Sequence, residues 1–214
     1  MFYIAGAGGF GRETLDALRA MSSSLAARAA FLDEHARATM VDGIPVRRPG
    51  EAGSGAFVVA IADPCVRQRL SSVLASRGLL PGQVIHPRAV ISPRAALGPG
   101  SVVLANAFVS TGAVLGAHVQ VNYNATIGHD AVLGDLVTVL PGANVAGTVT
   151  LGRRVTIGTN ACVLQGLRIG SSATVGAGAV VTRDQPEGVV AVGIPARPRP
   201  RKALQAGSWR ESAR

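Results

Sequence analysis

Residues 121–152 read VNYNATIGHDAVLGDLVTVLPGANVAGTVTLG, and an isoleucine, leucine or valine returns at every sixth position of this stretch. The same phase extends in both directions, so that all 17 sixth positions from Ile85 to Val181 are aliphatic. A helix repeats about every 3.6 residues and a strand about every 2, so neither element would keep this phase. The period is typical of hexapeptide repeats, whose coils stack into a triangular prism around an aliphatic ladder.

Three hexads form one predicted coil, because a glycine directly follows the ladder residue at intervals of 18 residues. These glycines are Gly98, Gly116, Gly134, Gly152 and Gly170. The sequence therefore predicts a left-handed parallel β-helix over residues 85–186, preceded by a small Rossmann-like α/β domain over 1–84 and followed by a basic tail over 187–214. Flat apolar faces aggregate unless they pack, so we also expect a homotrimer.

The N-terminal region lacks the repeat and has the pattern of a small βαβ sheet domain. Asp63 and Pro64 suit the N-cap and the first turn of its second helix. The predicted elements are a strand over Phe2–Ala5, a helix from about Arg12 to Arg28, strands over Ala30–Leu32 and Phe57–Ile61, and the second helix, which ends near Arg77.

A glycine-rich turn, GAGGFG at residues 6–11, fits the GxGxxG pattern between the first strand and the first helix. Bare backbone N–H groups at a helix N-terminus let a phosphate approach closely. A full dinucleotide fold needs two such halves, and this domain has room for one. The turn therefore favours a nucleoside diphosphate over NAD, with a purely structural tight turn as the alternative.

The net charge of +9 arises from 21 Lys and Arg residues against 12 Asp and Glu residues, and much of the excess lies in the last 18 residues. No interleaved aromatic residues offer a platform for stacking bases, so a phosphate-bearing small molecule explains the charge at least as well as a nucleic acid. A solvated basic terminus is the plainer alternative.

Membrane insertion and a metal site are not indicated. The longest hydrophobic run, Ala56–Ala62, is too short to cross a bilayer, and no basic stretch precedes an apolar segment at the N-terminus, so we expect a cytoplasmic protein. Cys65 and Cys162 lie far apart and form no CxxC motif, which argues against a disulfide framework and a zinc site. Both cysteines are predicted to be buried.

Beyond the hexads, distinctive motifs lie along nearly the whole chain: YIAGAGGFGRE at 3–13, FLDE at 31–34, VVAIADP at 58–64, NYNATIGHDAVLGD at 122–135 and VVAVGIPARP at 189–198. They resemble the motifs of one family, the bacterial hexapeptide-repeat sugar acetyltransferases of the sialic acid O-acetyltransferase and nucleotide-aminosugar N-acetyltransferase type. The hexads alone indicate only the superfamily, whereas the order and spacing of the other motifs are specific to this family.

The resemblance implies acetyl-CoA as the donor without a metal, a trimer with active sites between subunits, and a nucleotide-linked sugar held by the N-terminal domain. His129 matches the catalytic base of the family, and Asp130 matches the adjacent acid that raises the basicity of that histidine. The positions that match substrate-binding residues are Gly8, Gly9, Phe10, Asp33, Ala62, Asp63 and Asn122. Those that match the CoA groove are Thr138, Gly147, Thr159 and Ala177.

The repeat itself also favours His129 as a functional residue. One coil away lies Gly147, and a glycine beside a histidine leaves a slot. Neutral imidazole can accept a proton from an amine or hydroxyl that attacks a thioester. Consecutive strand residues point to opposite faces, so Asp130 can assist His129 only if the chain bends there. The alternatives for Asp130 are a contact with a neighbouring subunit and a solvated acid.

Two positions depart from the family. Gly128 stands where many members carry an acid, and Thr138 stands where some carry a second histidine. The identity of the acetyl acceptor is therefore not inferred from the well-known members of the family. We expect acetylation of an amino group on a nucleotide-linked sugar for polysaccharide or glycan synthesis. The alternatives are O-acetylation of a sugar or another small acceptor, and a non-catalytic trimer that binds a nucleotide sugar.

The basic C-terminal tail offers a further contact for the donor. Its residues Arg197, Arg199, Arg201 and Lys202 are expected to reach the phosphates of CoA. Beyond Lys202 we expect disorder.

Overall fold

The computed structural model describes residues 1–199 and consists of an α/β domain followed by a left-handed parallel β-helix, which confirms the predicted fold class. The helices are α1 (Gly9–Met21), α2 (Ser23–Ala26) and α3 (Pro64–Ser76), with a single 3-10 turn at Pro49–Glu51 among the described residues. The strands of the α/β domain are β1 (Phe2–Ala5), β2 (Ala29–Leu32), β3 (Met40–Val41), β4 (Ile44–Arg47), β5 (Ala56–Val59) and β6 (Leu80–Pro81).

The sheet of the α/β domain has the strand order β3-β4-β2-β1-β5-β6. The fully buried strand β1 lies at its centre and pairs in parallel with β2 and β5. The helix predicted from about Arg12 to Arg28 begins earlier, at Gly9, and is interrupted at Ser22. The side chain of Ser22 accepts a hydrogen bond from Leu25 N and starts α2, because serine competes with the helix backbone and favours caps.

The β-helix consists of short strands joined by tight corners, followed by one antiparallel strand. In chain order the strands are β7 (Val84–Ile85), β8 (Val90–Ile91), β9 (Ala96–Leu97), β10 (Val102–Val103), β11 (Phe108–Val109), β12 (Val114–Leu115), β13 (Gln120–Val121), β14 (Thr126–Ile127), β15 (Val132–Leu133), β16 (Thr138–Val139), β17 (Asn144–Val145), β18 (Thr150–Leu151), β19 (Thr156–Ile157), β20 (Cys162–Val163), β21 (Arg168–Ile169), β22 (Thr174–Val175), β23 (Val180–Val181), β24 (Val190–Val192) and β25 (Arg197–Arg199).

Every third strand stacks in parallel, and this stacking gives the prism three faces. Face 1 contains β7, β10, β13, β16, β19, β22 and β24; face 2 runs from β8 to β23, and face 3 from β9 to β21. Each pairing up to β23 joins residues 18 positions apart, as between Val121 and Val139, so three hexads do make one coil. The ladder side chains form one continuous buried core inside the prism.

Corner residues in the left-handed region turn the chain from one face to the next. Asn124 has φ +59°, Asp130 has φ +57° and His118 has φ +56°, one at each of the three corners. Asparagine and aspartate adopt this conformation more readily than most residues with a β-carbon. The tight corners therefore depend on local backbone chemistry as well as on the aliphatic ladder.

The stacked strands continue beyond the predicted end of the prism at Pro186. Strand β24 pairs with β22, and β25 returns antiparallel to β24. The phase shifts before that point, because Ile169 pairs with Gln185, whereas the 18-residue spacing would give residue 187. The first part of the predicted basic tail is therefore structured, while Arg201, Lys202 and the expected disorder lie outside the described residues.

The N-terminal domain packs on face 1 of the prism. Val84 and Val102 of that face belong to the same buried cluster as Phe2, Ile4 and Leu15. Faces 2 and 3 carry exposed apolar side chains instead. These are Val90 (55% exposed) and Phe108 (43%) on face 2, and Val114 (47%) and Val132 (45%) on face 3.

The predicted burial of the two cysteines is wrong. Cys65 is exposed in the first turn of α3. Cys162 is half-buried, because it stands at an outward position of face 2, beside Asn144 and Val180 in the stack. Within residues 1–199, no helix combines the length and the apolar character needed to cross a membrane.

Candidate active site

The glycine-rich turn contains two kinds of glycine. Gly6 has φ +106°, and a β-carbon on Gly11 would overlap the carbonyl oxygen of Gly6, so the turn and the start of α1 require both residues. Gly8 and Gly9 are exposed, and a β-carbon on either would meet no atom within 4 Å. The turn therefore leaves an open strip of bare backbone at the N-terminus of α1, with Phe10 half-buried beside it.

A small cleft of about 90 Å³ opens at the carboxyl ends of the parallel strands. Strand β1 has β2 on one side and β5 on the other, and ligands of open α/β sheets bind where the strand order reverses in this way. The walls include Gly6, Asp33, Ile61, Val66 and Arg69.

The two acidic residues predicted to contact the nucleotide have structural partners. The carboxylate of Asp33 accepts from Ala7 N at 3.0 Å and from His35 N at 2.8 Å, which joins the glycine turn to the end of β2. Asp63 caps α3 by accepting from Cys65 N at 2.8 Å and Val66 N at 3.0 Å, as the Asp-Pro pair predicts. Ala62 precedes it as an exposed residue.

His129 and Asp130 form a hydrogen-bonded pair on a corner of the prism, between faces 2 and 3. Nδ1 of His129 lies 2.9 Å from Oδ2 of Asp130, and the two side chains are 49% and 62% exposed. The left-handed φ of +57° at Asp130 supplies the bend that this contact needs. When Nδ1 donates to the carboxylate, Nε2 carries the free lone pair and can accept a proton.

The pair is framed by two glycines, one in the coil on each side. A β-carbon on Gly147 would overlap Nε2 of His129, and a β-carbon on Gly112 would overlap Oδ1 of Asp130. The backbone stack continues through the pair, since Asp130 N donates to Thr111 O at 2.9 Å and Thr148 N donates to His129 O at 2.8 Å. The slot beside the histidine is thus occupied by the imidazole itself.

The residues predicted to line the CoA groove do not come together on one chain. Gly147 lies at the corner of His129, whereas Thr159 and Ala177 are exposed at the corner between faces 1 and 2. Thr138 is fully buried, donates to Ala62 O at 3.1 Å and accepts from Arg67 Nη2 at 2.9 Å. The structure therefore contradicts its placement in an open groove, because the N-terminal domain covers face 1.

Asn122 is also buried, at 4% exposure, and its amide donates to Val139 O at 3.1 Å. Its neighbour Tyr123 instead lines a second cleft, of about 180 Å³, between α1 and the prism. Glu13 and Asp16 of α1 also line this cleft. Burial raises the pKa of Glu13, and the nearby Asp16 adds to this effect.

Arg67 and Gln120, which sequence reasoning missed, are both fully buried between the two domains. Arg67 shares the buried side of α3 with Ser71 and Leu74, at positions where helical periodicity predicts apolar residues. Burial lowers the pKa of Arg67 to about 10, partly offset by the charge of Asp63. Hexad spacing places Gln120 on the outside of the prism but does not say that a second domain covers it.

His118 contributes to the same interface. Its ring stacks on Phe57 of β5 with the centroids 6.0 Å apart. Burial lowers the pKa of His118 from its ordinary value of 6.5, the positive charge of Arg67 lowers it further, and Asp135 opposes both effects.

The prism places His129 far from the cleft at the carboxyl ends of the strands of its own chain. In a triangular prism, the corner between faces 2 and 3 lies opposite face 1, and face 1 carries the N-terminal domain. A group held in the cleft therefore faces the corner of His129 only if that corner comes from another chain. Among residues 1–199, no three His, Cys, Asp or Glu side chains are grouped to hold a metal ion.

Comparisons with known proteins cover both parts of the chain. Residues 2–74 match the family described as the PglD N-terminal domain. The chain is similar to the acetyltransferase domain of PglB from Neisseria gonorrhoeae FA1090, at 35% identity and a TM-score of 0.87, with 92% of this chain and 98% of that domain covered. That domain is also solved in complex with acetyl coenzyme A.

Two further solved structures are similar over nearly their whole length. PerB from Caulobacter crescentus, solved with CoA and GDP-perosamine, is 33% identical with a TM-score of 0.85, and the match covers 92% of this chain and 96% of PerB. WeeI from Acinetobacter baumannii AYE is 33% identical with a TM-score of 0.89, over 93% of this chain and 99% of WeeI. Comparison with curated proteins finds no match.

Proposed function

This chain belongs to the hexapeptide-repeat sugar acetyltransferases of the sialic acid O-acetyltransferase and nucleotide-aminosugar N-acetyltransferase type, and we propose that it transfers acetyl from acetyl-CoA to an amino group of a nucleotide-linked sugar. The similar PglB domain is solved with acetyl coenzyme A, and PerB with CoA and GDP-perosamine. We further propose a cytoplasmic reaction that supplies acetylated sugars for surface polysaccharide or glycan synthesis.

The acceptor is held by the N-terminal domain in this proposal. Its diphosphate lies on the open backbone of Gly8 and Gly9, where the N–H groups and the dipole at the start of α1 favour negative charge. Its nucleoside occupies the cleft at the carboxyl ends of the strands, beside Asp33 and the exposed Ala62 and Asp63.

His129 acts as the general base, and the observation that carries this role is its contact with Asp130 at 2.9 Å. The carboxylate orients the ring and stabilises the imidazolium that forms when Nε2 takes the proton of the attacking amine. The amine attacks the thioester carbon directly, the tetrahedral intermediate collapses, and the CoA thiolate leaves. A backbone N–H group stabilises the negatively charged oxygen of that intermediate.

A homotrimer with active sites between subunits is part of this proposal. His129 and the nucleotide cleft lie on opposite sides of one prism, so the acceptor amine must meet His129 of the partner subunit. The exposed valines of face 3 supply an apolar surface for that packing. Thr159 and Ala177 lie on a different corner from Gly147, so a groove for CoA that uses all three also needs two chains.

The test is release of CoA thiol from acetyl-CoA in the presence of UDP-, dTDP- and GDP-linked amino sugars and their hydroxy counterparts. Release with an amino sugar supports N-acetyl transfer and identifies the nucleotide. Release with hydroxy sugars alone would instead establish O-acetylation. If the protein binds acetyl-CoA but releases no thiol with any sugar of the panel, nucleotide sugars are refuted as acceptors.

Two variants test the role of the base. His129→Ala is expected to lower turnover by about 10²-fold or more, because general bases contribute that much. Asp130→Asn removes the negative charge, while asparagine still tolerates the left-handed backbone angle of the corner. We expect a smaller loss of turnover than in His129→Ala, with unchanged binding of acetyl-CoA. Unchanged turnover of His129→Ala would exclude this histidine as the base.

A further inference from the structure

Arg67 is a fully buried cation that no carboxylate pairs with among residues 1–199. Its guanidinium donates to both domains. Within the N-terminal domain, Nη1 donates to Ile61 O at 2.8 Å and Ala62 O at 3.1 Å. Toward the prism, Nε donates to His118 O at 3.0 Å and Nη2 donates to Leu136 O at 2.5 Å. One side chain of α3 thus connects the end of β5 with two successive coils.

The prism carbonyls that Arg67 binds are left over from the strand ladder. The ladder amides of Val102 and Gln120 donate to Val119 O and Val137 O, one residue beyond the left-handed corners. His118 O and Leu136 O belong to the corner residues themselves, with φ +56° and +63°. Arg67 satisfies both carbonyls where the N-terminal domain shields them from water, and buried carbonyls need such partners.

Two neighbouring side chains of face 1 complete the network. Gln120 and Thr138 stand side by side in the ladder. Gln120 accepts from Arg67 Nη1 at 3.0 Å and donates to Val59 O at 2.8 Å. Thr138 accepts from Arg67 Nη2 and donates to Ala62 O. The prism therefore holds the segment from Val59 to Ala62 through side chains as well as through Arg67.

The segment that is held in this way also forms a wall of the nucleotide cleft. Ile61 lines the cleft, as do Val66 and Arg69 on either side of Arg67 along α3. A buried cation without a counter-ion is an expensive way to join two domains, and apolar residues would often stabilise the same interface better. Directional hydrogen bonds to four backbone carbonyls and two side chains set an orientation, which apolar contacts would not do.

We propose that Arg67 is a positioning residue that fixes the nucleotide cleft on the prism, and so sets the acceptor amine against His129 of the partner subunit. This inference rests on the proposed function. The cleft and the base belong to different domains, so their distance depends on the joint between them. A displacement of about 1 Å between reacting groups can lower the rate about 10²-fold.

The experiment compares Arg67→Met, Arg67→Lys and Thr138→Val with the matched control Thr156→Val. Thr156 stands next to Thr138 on face 1, is half-buried and is not among the hydrogen-bond partners of Arg67. Thr138→Val removes the hydrogen bonds of Thr138 to Arg67 and to Ala62 O at nearly constant volume, so it tests the network if Arg67→Met fails to fold. The measurements are kcat, the KM values of both substrates, and amide hydrogen exchange of residues 59–63.

We expect kcat with the nucleotide sugar to fall about 10²-fold in Arg67→Met and about 10-fold in Thr138→Val, with partial rescue by Arg67→Lys. The KM of acetyl-CoA should stay within about twofold, and exchange of residues 59–63 should rise while Thr156→Val behaves as the wild type. Unchanged kcat in a folded Arg67→Met variant would overturn the proposal. So would an equal loss of acetyl-CoA binding, which indicates a general structural role.

The two proposals fail in different ways. The proposed function is refuted if the wild-type protein transfers acetyl to none of the nucleotide sugars. The positioning role of Arg67 is then decided by hydrogen exchange, because unchanged exchange of residues 59–63 in both Arg67→Met and Thr138→Val would show that the network does not hold this wall.

Discussion

The imidazole of His129 lies directly on the backbone of Gly147, one coil further along the prism. The ring takes the space that a β-carbon at position 147 would need. This glycine has no left-handed backbone angle to explain it. Its lack of a side chain therefore determines where the proposed base stands.

Gly147→Ala is expected to displace the ring of His129 and lower kcat at least about 10-fold, because the β-carbon overlaps Nε2. Steady-state kinetics with the best acceptor would measure this loss. Gly50→Ala is a suitable control, since a β-carbon at position 50 meets no atom within 4 Å. Normal turnover in Gly147→Ala would mean that the ring works from another position.

Two substitutions in the glycine-rich turn are expected to have different effects, one on substrate binding and the other on the stability of the fold. Gly8→Val adds bulk on the open strip and should raise the KM of the nucleotide sugar about 10-fold or more, with little change in stability. Gly11→Ala should instead destabilise the fold by about 3 kcal/mol, because its β-carbon overlaps Gly6 O. Acceptor kinetics and chemical denaturation of both variants give the comparison. A normal KM in Gly8→Val would place the diphosphate elsewhere.

A charge on face 3 is expected to disrupt the proposed trimer. Val132 is 45% exposed beside Val114 in the same stack. Val132→Glu should produce monomers in sedimentation analysis and abolish acetyl transfer, because a buried unpaired carboxylate opposes association. Retention of the wild-type oligomer would assign the subunit contact to another face.

His118 predicts a dependence of stability on pH. Its pKa in the folded chain is lowered, so below pH 6.5 the unfolded chain binds a proton that the folded chain resists. The free energy of unfolding should therefore fall as the pH drops from 6.5 toward the lower folded pKa, by at most about 1.4 kcal/mol per pH unit from this group.

Denaturation at pH 7.5, 6.0 and 5.0 measures this fall. His118→Asn removes the titration and keeps a residue that accepts the left-handed φ of +56°. The variant should lose less stability over this range than the wild type does. Equal losses in the two proteins would show that other groups account for the dependence.

The prism could be predicted because its period is a local property of the sequence. Each ladder residue repeats the environment of the one before it, so the pattern from Ile85 to Val181 contains the coil length, the core and the stacking register. The prediction fails at Gln185, where a shift of two residues brings a polar side chain into register with Ile169. A period says nothing about where it will be interrupted.

The site could be predicted only in part, because its residues depend on contacts between distant segments. His129 and Asp130 are visible as motif residues, but their contact needs a left-handed backbone angle that the sequence permits without requiring. Within its hexad, Thr138 occupies an outward-facing position, as the exposed residues of the prism do. It is buried because Arg67 and Ala62 reach it from about 70 residues away, and no local pattern reports that.

The placement of His129 on the corner opposite face 1 divides each proposed active site between two polypeptides. A chain with a defective base still offers an intact cleft, and a chain with a defective cleft still offers an intact base. Mixed trimers of His129→Ala and Gly8→Val should therefore contain sites with an intact cleft and an intact base, which neither variant forms alone, at about a quarter of all sites if equal amounts of the two subunits assemble at random around the threefold axis. Two inactive alleles of this protein are thus expected to complement each other in one cell.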